Sequence, residues 1–168
     1  MNQFLPRLII FALVIGAIYW FFPDAERDET GAIVSEGDLE ATSLRMGDCF
    51  NNPSLSDLED SETTEVGTVD AIPCDLPHEF EIYALSHQFF DQSSYPGEEV
   101  IELTASEYCA IEFKKFIGIN VQDSILSYVF LFPNKDGWNI GDKSVTCAVN
   151  HKLGKKLESS SRGSGIGH

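Results

Sequence analysis

The sequence predicts an α+β fold: a small antiparallel sheet with one main packed helix and two disulfides, preceded by a single N-terminal transmembrane helix. Three observations support this prediction. The chain has 168 residues, which is enough for one compact domain with appendages. Short strand-like segments separated by turn residues flank one long segment of helical periodicity. Four cysteines follow an N-terminal apolar segment, and an even number in that context favours disulfides in an oxidising compartment.

The N-terminal segment predicts a membrane anchor at residues 8–22, which are apolar and end in a cluster of aromatic residues. The run is shorter than the ~20 residues of a usual span, but flanking apolar residues extend it. A cleaved signal peptide is the alternative. Bulky aromatics followed by Pro23, where small residues would be needed, favour the uncleaved anchor. The positive-inside rule then places residues 1–7, with Arg7, in the cytoplasm and the rest of the chain outside.

The chain is strongly acidic, with a formal net charge of -16. This charge argues against nucleic acid as a partner, because proteins that bind nucleic acid present basic faces to the phosphates. The acids are concentrated in residues 24–40 and 57–65. Such runs are typical of solvated, mobile chain. Cation binding by the acidic loop 51–65 is the alternative, although this loop lacks the fixed ligand spacing of a calcium site.

The acidic residues also suggest where the folded domain begins. Residues 23–43 contain few large apolar side chains, so we predict an extended acidic tether there. The folded extracytoplasmic domain is predicted to span residues 44–150. Residues 151–168 are rich in Ser and Gly and predict a disordered tail.

The first half of the predicted domain is organised around two cysteines. Residues 44–50 predict a short strand and turn containing Cys49, and residues 66–72 predict a second strand that leads to Cys74. Pairing Cys49 with Cys74 would close the intervening loop at its base. A third strand, at residues 79–86, is predicted to continue a stretch whose even positions face one way: His78, Phe80, Ile82 and Ala84.

The second half of the predicted domain contains the main helix, at residues 98–117, which ends at Gly118. Residues 124–132 predict a strand with apolar residues on both faces, which is typical of a strand that is central or covered on both sides. A loop follows at residues 133–137. The last predicted strand is at residues 144–149.

The remaining two cysteines both face the predicted core. Cys109 lies on the apolar side of the helix, and Cys147 shares a strand face with Val145 and Val149. We therefore predict a Cys109–Cys147 disulfide from facing alone, although four cysteines allow three pairings. Zinc binding is the competing use of these residues. No Cys-x-x-Cys or Cys-x-x-His pair occurs in the sequence, so no metal site is predicted.

Four residues are candidates for a binding surface: His78, Glu81, Trp138 and Asp142. His78 and Glu81 are spaced like part of a metal or acid–base site, but positions three apart on a strand face opposite ways. The alternative role for His78 is to cap the turn after Cys74. Trp138 either anchors a ligand beside a polar loop or fills the core near the second disulfide. Asp142 lies in a turn that positions the last strand.

The sequence contains no recognisable catalytic motif. Nucleophile elbows, phosphate loops and dinucleotide fingerprints are missing, and a Cys nucleophile would need a free thiolate. We therefore predict a protein that is not an enzyme and has no cofactor. Two alternatives remain open: an extracytoplasmic hydrolase or metal-dependent enzyme that uses His78, and an extracytoplasmic sensor. A sensor is disfavoured because only residues 1–7 would lie inside to signal.

Several short motifs resemble those of the septum-formation domain family, which comprises bacterial envelope domains found largely in actinobacteria. The motifs are Leu44-Arg45-Met46-Gly47-Asp48-Cys49-Phe50, Ile72-Pro73-Cys74, Pro77-His78 with Glu81, Tyr95-Pro96-Gly97, Cys109 with Phe113, Trp138, Gly141-Asp142 and Val145-x-Cys147. The acidic loop 51–65 and Glu79, where Asp is more usual, depart from the family pattern. The resemblance implies a single-pass protein of the bacterial plasma membrane, with membrane lipid around residues 8–22, and no catalytic residues. We expect it to bind an envelope or division protein through its extracytoplasmic domain.

Overall fold

A computed structural model describes residues 23–56 and 64–167 of the chain. The predicted cytoplasmic segment 1–7 and membrane anchor 8–22 lie outside the described residues, as do residues 57–63 of the acidic loop. Within the described ranges, no helix combines the length and the hydropathy needed to cross a membrane.

One antiparallel sheet and one long helix dominate the described chain. The strands are β1 (Gly37–Glu40), β2 (Cys49–Asn51), β3 (Thr68–Ile72), β4 (Phe80–Ser86), β5 (Leu126–Leu131) and β6 (Val145–His151), and the α-helices are α1 (Pro53–Ser56), α2 (Glu98–Ile117) and α3 (Lys135–Asn139). The strand order is β1-β3-β2-β4-β6-β5, and every pair of neighbouring strands is antiparallel. The predicted α+β class, antiparallel sheet and single main helix are therefore confirmed.

Helix α2 has the predicted bounds because its ends carry strong local signals. Glu98 and Glu99 lie in the first turn, where carboxylates favour the positive end of the helix dipole. Gly118 ends the helix with φ 102° and donates its N–H to the Lys114 carbonyl at 3.0 Å. This left-handed conformation favours glycine. The buried face of the helix packs on one side of the sheet through Ile101, Ala105, Cys109, Phe113, Phe116 and Ile117.

A β-bulge in β4 changes which of its residues face the helix. The register shifts between Ile82 and Ala84, so Tyr83 is the extra residue. Phe80 and Ile82 belong to the cluster on the far side of the sheet, whereas Tyr83 and Ala84 both belong to the helix-side cluster. The prediction that Ala84 shares a face with Phe80 and Ile82 is therefore wrong, because a bulge reverses the alternation beyond it.

Strand β5 lies at an edge of the sheet and packs against side chains on both of its faces. Its two apolar faces predicted a strand that is central or covered on both sides, and among the described strands its neighbour is β6. Leu126 is buried, and the other residues of β5 are half-buried. Phe130 contacts the helix-side cluster and Val129 contacts the opposite one. Contacts on both faces explain the apolar pattern without a second neighbouring strand.

The segment predicted to be a tether takes part in the fold. Within residues 23–43, β1 pairs with β3, and Ile33 is buried. The segment folds because the edge of β3 supplies backbone hydrogen-bonding groups, which composition does not reveal. Arg27 adds an ion pair with the buried Asp48. These contacts offset the conformational entropy that is lost when a segment unable to fold alone becomes ordered.

The C-terminal residues also pack on the domain, in contrast to the disordered tail predicted for 151–168. His151 extends β6, and Leu157 and Ser161 are buried. Gly163 and Gly165 donate their N–H groups to carbonyls at the end of α2, at 2.7 and 2.9 Å. Ser- and Gly-rich composition indicated flexibility, but it carries no information about acceptors far away in the sequence.

Two predicted loops contain short helices. The segment predicted as loop 133–137 continues into α3, and the Asn134 side chain caps this helix by accepting the Gly137 N–H at 2.9 Å. The amino-terminal part of loop 51–65 forms α1. Both helices are single turns, which leave too short a periodic pattern to be recognised in the sequence.

Candidate functional site

Both predicted disulfides are present. Cys49 is bonded to Cys74, with their Cα atoms 5.2 Å apart, and Cys109 is bonded to Cys147, with their Cα atoms 5.6 Å apart. The first bridge joins β2 to the turn before β4, and the second joins α2 to β6. All four cysteines are therefore used in cross-links.

An ion pair reinforces the chain beside the first disulfide. The guanidinium of Arg27 donates to both carboxylate oxygens of Asp48, at 2.7 and 2.6 Å, and these hydrogen bonds raise the pKa of Arg27. Asp48 is 4% exposed and also accepts the Arg45 N–H at 2.7 Å. The Asp48 carbonyl accepts the Ile82 N–H at 2.8 Å. The Gly-Asp-Cys motif is thus tied both to the upstream segment and to β4.

His78 is an interior residue and forms no part of a surface. Its side chain has no solvent exposure. Nδ1 lies 2.8 Å from the Leu76 carbonyl oxygen, which is consistent with the predicted role in the turn after Cys74. Its backbone exchanges two hydrogen bonds with Leu157, at 3.0 and 2.7 Å. Nε2 has no hydrogen-bond partner among the described residues.

Glu81 is also buried and binds the C-terminal segment. Its carboxylate accepts the Ser160 hydroxyl at 2.6 Å and the Ser161 N–H at 2.7 Å. The side chain is 2% exposed, so these contacts compensate the desolvation of its oxygens. The C-terminal segment therefore supplies donors to the Glu81 carboxylate and bonds the backbone of His78, and it covers both polar residues in the interior.

Trp138 fills the core. It is 3% exposed and belongs to the same buried cluster as Cys109 and Cys147. Its indole Nε1 donates to the Ser93 carbonyl at 3.4 Å. The Lys143 ammonium lies 3.3 Å from the centroid of the ring, and desolvation lowers the pKa of this lysine. This position corresponds to the core alternative for Trp138.

Asp142 is half-buried and organises the turn before β6. Its Oδ1 accepts the N–H and the hydroxyl of Ser144, at 2.8 and 2.6 Å. The four candidate binding residues therefore do not form one surface, because three of them are almost completely buried. Within the described ranges, no group of three or more His, Cys, Asp or Glu side chains is arranged to hold a metal ion.

A broad concave surface involves residues other than the four candidates. An open groove of about 1600 Å³ runs around both sides of β5. On the helix side, the groove is lined by Tyr128, Phe130 and Phe132; on the other side, Val129 and Leu131 line it. The signal in the sequence is the apolar character of both faces of β5, which is also typical of a strand covered on both sides.

Comparison with known families identifies a match over most of the folded chain. The model of the family described as septum formation matches residues 46–164, which is more than half of the 168-residue chain. No curated protein and no solved structure matches the chain. The match contains both disulfides, α2 and the C-terminal contacts of His78 and Glu81, and it begins after β1. On this match, and in agreement with the motifs in its sequence, the chain belongs to the septum-formation family.

Proposed function

We propose that the protein is a non-catalytic, membrane-anchored envelope protein that acts in septum formation by binding a cell-wall or division partner. The observation that carries the proposal is the family match over residues 46–164. Residues 8–22 anchor the chain in the bacterial plasma membrane, and the domain lies outside the cytoplasm. The two disulfides support this location, because disulfides persist in oxidising compartments.

The surroundings of the polar candidates favour binding over catalysis. The carboxylate of Glu81 is occupied by two donors of the C-terminal segment. His78 has no solvent exposure, so a substrate could reach it only after rearrangement. The cysteines are bridged and offer no thiolate nucleophile. For these reasons the hydrolase and metal-dependent alternatives are not part of the proposal.

Depletion in the native bacterium tests the function. We expect cells that complete septa late and grow longer, and the full chain should rescue them. A chain whose residues 8–22 are replaced by an unrelated transmembrane helix should also rescue, whereas a chain without any anchor should not. Normal division on depletion would contradict the role in septum formation.

A substitution at His78 tests the non-catalytic part of the proposal. His78→Leu removes both ring nitrogens but keeps an interior side chain of similar size. We expect this variant to rescue depleted cells if it retains both disulfides, as verified by peptide mapping without reductant. A correctly bridged variant that fails to rescue would support a chemical role for His78.

Fusion of alkaline phosphatase after His168 tests the location. The fusion point lies beyond the packed C-terminal segment, so that Leu157 and Ser161 keep their contacts. We expect phosphatase activity, because this enzyme folds only outside the cytoplasm. A fusion of a cytoplasm-dependent fluorescent reporter at the same point serves as the control, and fluorescence from it would contradict the proposed topology.

A further inference from the structure

The outer edge of β5 has free backbone hydrogen-bonding groups. Lys152 donates its N–H to the Ile125 carbonyl at 3.0 Å, which identifies Ile125 and Lys152 as a hydrogen-bonded pair next to the β5–β6 ladder. In an antiparallel ladder such pairs alternate, so Tyr128 and Phe130 direct their N–H and C=O groups away from β6. Leu126 agrees with this alternation, because its N–H binds the Ser124 hydroxyl at 3.1 Å. Among the described residues, nothing forms a hydrogen bond with these outward-directed N–H and C=O groups of Tyr128 and Phe130.

The opposite edge of the sheet is protected. On β1, Asp38 receives a hydrogen bond from the Ala25 N–H at 3.0 Å and donates its own N–H to the Pro23 carbonyl at 2.9 Å. Asp38 and Glu40 also place charges on that strand. Proteins commonly protect edge strands with charges, prolines or covering segments. The six residues of β5, Leu-Ser-Tyr-Val-Phe-Leu, contain none of these protections.

We propose that β5 is a self-association surface that pairs, antiparallel, with β5 of a second copy of this chain. The pairing would join two sheets into one continuous sheet about a two-fold axis. It would close at two copies, because β5 forms the one free edge of the sheet that the described residues build, and the β1 edge is covered. The inference concerns self-association and does not depend on the function proposed above.

The side chains of β5 suit pairing with themselves. In a two-fold antiparallel pair, opposite residues lie on the same face of the sheet. With the axis at Val129, Tyr128 lies opposite Phe130 of the other copy. The aromatic row formed by Tyr128, Phe130 and Phe132, whose neighbouring ring centroids are 6.3 and 5.8 Å apart, would then continue across the junction. Aromatic cross-strand pairs stabilise sheets.

The charges along the groove select a second copy rather than an arbitrary strand. Acidic side chains line the groove near the carboxyl end of β5: Glu65, Glu98, Glu102 and Asp142. Lysines line it near the amino end: Lys152 and Lys155. Glu79 also lines the amino end, where its carboxylate accepts the Asn52 N–H. Antiparallel pairing places the acidic end of one copy against the lysine end of the other, at both junctions.

The overall charge of -16 does not prevent this arrangement, because much of the acid lies at the other edge. The acid-rich residues 24–40 surround β1, five strand spacings from β5. At ~4.8 Å per spacing this is roughly 24 Å, beyond the Debye length of about 8 Å in physiological salt. These charges would therefore lie at the outer ends of the joined sheet, far from the junction.

Sedimentation of the full chain in mild detergent tests the proposal. We expect a dimer whose dissociation constant rises at least about tenfold in Ser127→Lys, because a charge on an edge strand opposes pairing. Glu40→Lys, on β1, is the matched control and should leave the dimer unchanged. Both variants must retain the two disulfides and the thermal midpoint. A monomeric wild-type chain, or a dimer insensitive to Ser127→Lys, would overturn the proposal.

A charge exchange tests the orientation. Glu102→Lys and Lys155→Glu should each weaken the dimer, and a chain with both substitutions should regain most of the lost affinity, because each new charge meets its new opposite in the other copy. If the two losses of dimer affinity simply add in the double variant, the antiparallel arrangement would be overturned. Glu29→Lys, at the far edge, controls for the change in net charge.

Cysteine cross-linking in membranes gives a readout that does not depend on Ser127. With the two-fold axis at Val129, Val129→Cys lies opposite itself, at the Cα separation of about 4.5 Å typical of a pair without hydrogen bonds, which suits a disulfide. With the axis at Tyr128, Val129→Cys instead links to Ser127→Cys. Either link supports the proposal. If neither forms, or if a photo-cross-linker at Ser127 captures a different protein alone, the edge does not bind a second copy.

Discussion

The two disulfides stabilise different kinds of structure. The Cys109–Cys147 bridge joins two elements of the helix-side core, and both of its residues are 0% exposed. The Cys49–Cys74 bridge has one buried residue, Cys49, and one half-buried residue in a turn. The bridges close loops of 38 and 25 residues. Loop entropy differs by only about 0.4 kcal/mol between these lengths, which is too little to distinguish the two contributions to stability. We therefore expect the two disulfides to contribute unequally to the free energy of unfolding because they differ in burial, not because they differ in loop length.

Noncovalent contacts with the two terminal segments lie beside the first bridge and on the helix side of the sheet. Near the first bridge, Arg27 of the upstream segment binds Asp48. On the helix side, the C-terminal segment binds Glu81 and the end of α2. The Tyr83 hydroxyl donates to the Cys109 carbonyl at 2.8 Å, and burial raises the pKa of Tyr83, so this donor stays protonated. The helix side is thus the more enclosed half.

The largest expected effect comes from removing the buried bridge. Cys109→Ala with Cys147→Ala should lower the free energy of unfolding by about 5 kcal/mol, from loop entropy near 4 kcal/mol and lost packing. Cys49→Ala with Cys74→Ala should cost about 3.5 kcal/mol. Chemical denaturation of both double variants measures the difference. Equal losses would show that burial adds nothing to cross-linking.

Glu81→Ala should be the next largest change. It leaves the Ser160 hydroxyl and the Ser161 N–H without their acceptor inside the protein, at a cost of about 2 to 3 kcal/mol. Hydrogen exchange at Ser161 should also accelerate. Glu158→Ala changes an exposed carboxylate of the same segment and should alter stability by less than about 0.5 kcal/mol. A Glu81 variant as stable as this control would contradict a stabilising role for the C-terminal segment.

Arg27→Ala tests the corresponding contact beside the first bridge. The Asp48 carboxylate would remain buried and, among the described residues, would keep only its hydrogen bond from the Arg45 N–H, so we expect a loss of about 2 kcal/mol. Backbone amides of β1 should exchange faster, while those of α2 should not change. Glu29→Ala, an exposed neighbour, serves as the control. Unchanged exchange in β1 would mean that the ion pair does not hold the upstream segment.

The smallest expected effect concerns the acidic pairing of β1 with β3. Partial burial raises the pKa of Asp70 despite its hydrogen bond with Asn51, and Glu36 and Asp38 raise it further. A raised pKa in the folded state favours the protonated form, so Asp70 supports the fold at low pH and loses that contribution as the pH rises. Asp70→Asn should therefore stabilise the protein at pH 7, by no more than about 0.5 kcal/mol.

The pH dependence gives this prediction its control. The gain from Asp70→Asn should vanish below about pH 4, where the wild-type carboxyl is protonated. Asp28 behaves oppositely, because hydrogen bonds from the Thr30 side chain and nearby N–H groups lower its pKa. Asp28→Asn should therefore lose stability at neutral pH, and the loss should disappear in acid. Thermal melts at both pH values measure the two signs, and a gain for Asp28→Asn would contradict them.

Much of the fold could be predicted because its signals are local. The bounds of α2 follow from periodicity over five turns and from Gly118 at its end. The pairing of Cys109 with Cys147 follows from the direction in which each side chain faces. Strand β5 shows the limit of such patterns, because contacts on both faces of an edge strand produce the same apolar alternation as burial in the middle of a sheet.

Residue type could not show that three of the four candidate binding residues are buried, because it carries no information about tertiary partners. His78 and Glu81 are polar, and polar residues are usually exposed. Their partners, Leu157, Ser160 and Ser161, lie about eighty positions later in a segment whose composition indicated disorder. A buried carboxylate is tolerated when donors reach it, and only the folded chain shows that they do.

The sequence alone determined the α+β class, the long helix, the cysteines that pair and the family resemblance, because short-range periodicity and side-chain facing encode them. The tertiary structure decided the fate of both terminal segments, the β4 bulge, the burial of His78, Glu81 and Trp138, and the edge position of β5. These features depend on backbone and side-chain groups that meet only after folding. Hydrogen bonds between residues distant in sequence produce no periodic pattern in the sequence. A strand edge or a buried carboxylate can therefore order a segment whose composition alone indicates that it is unfolded.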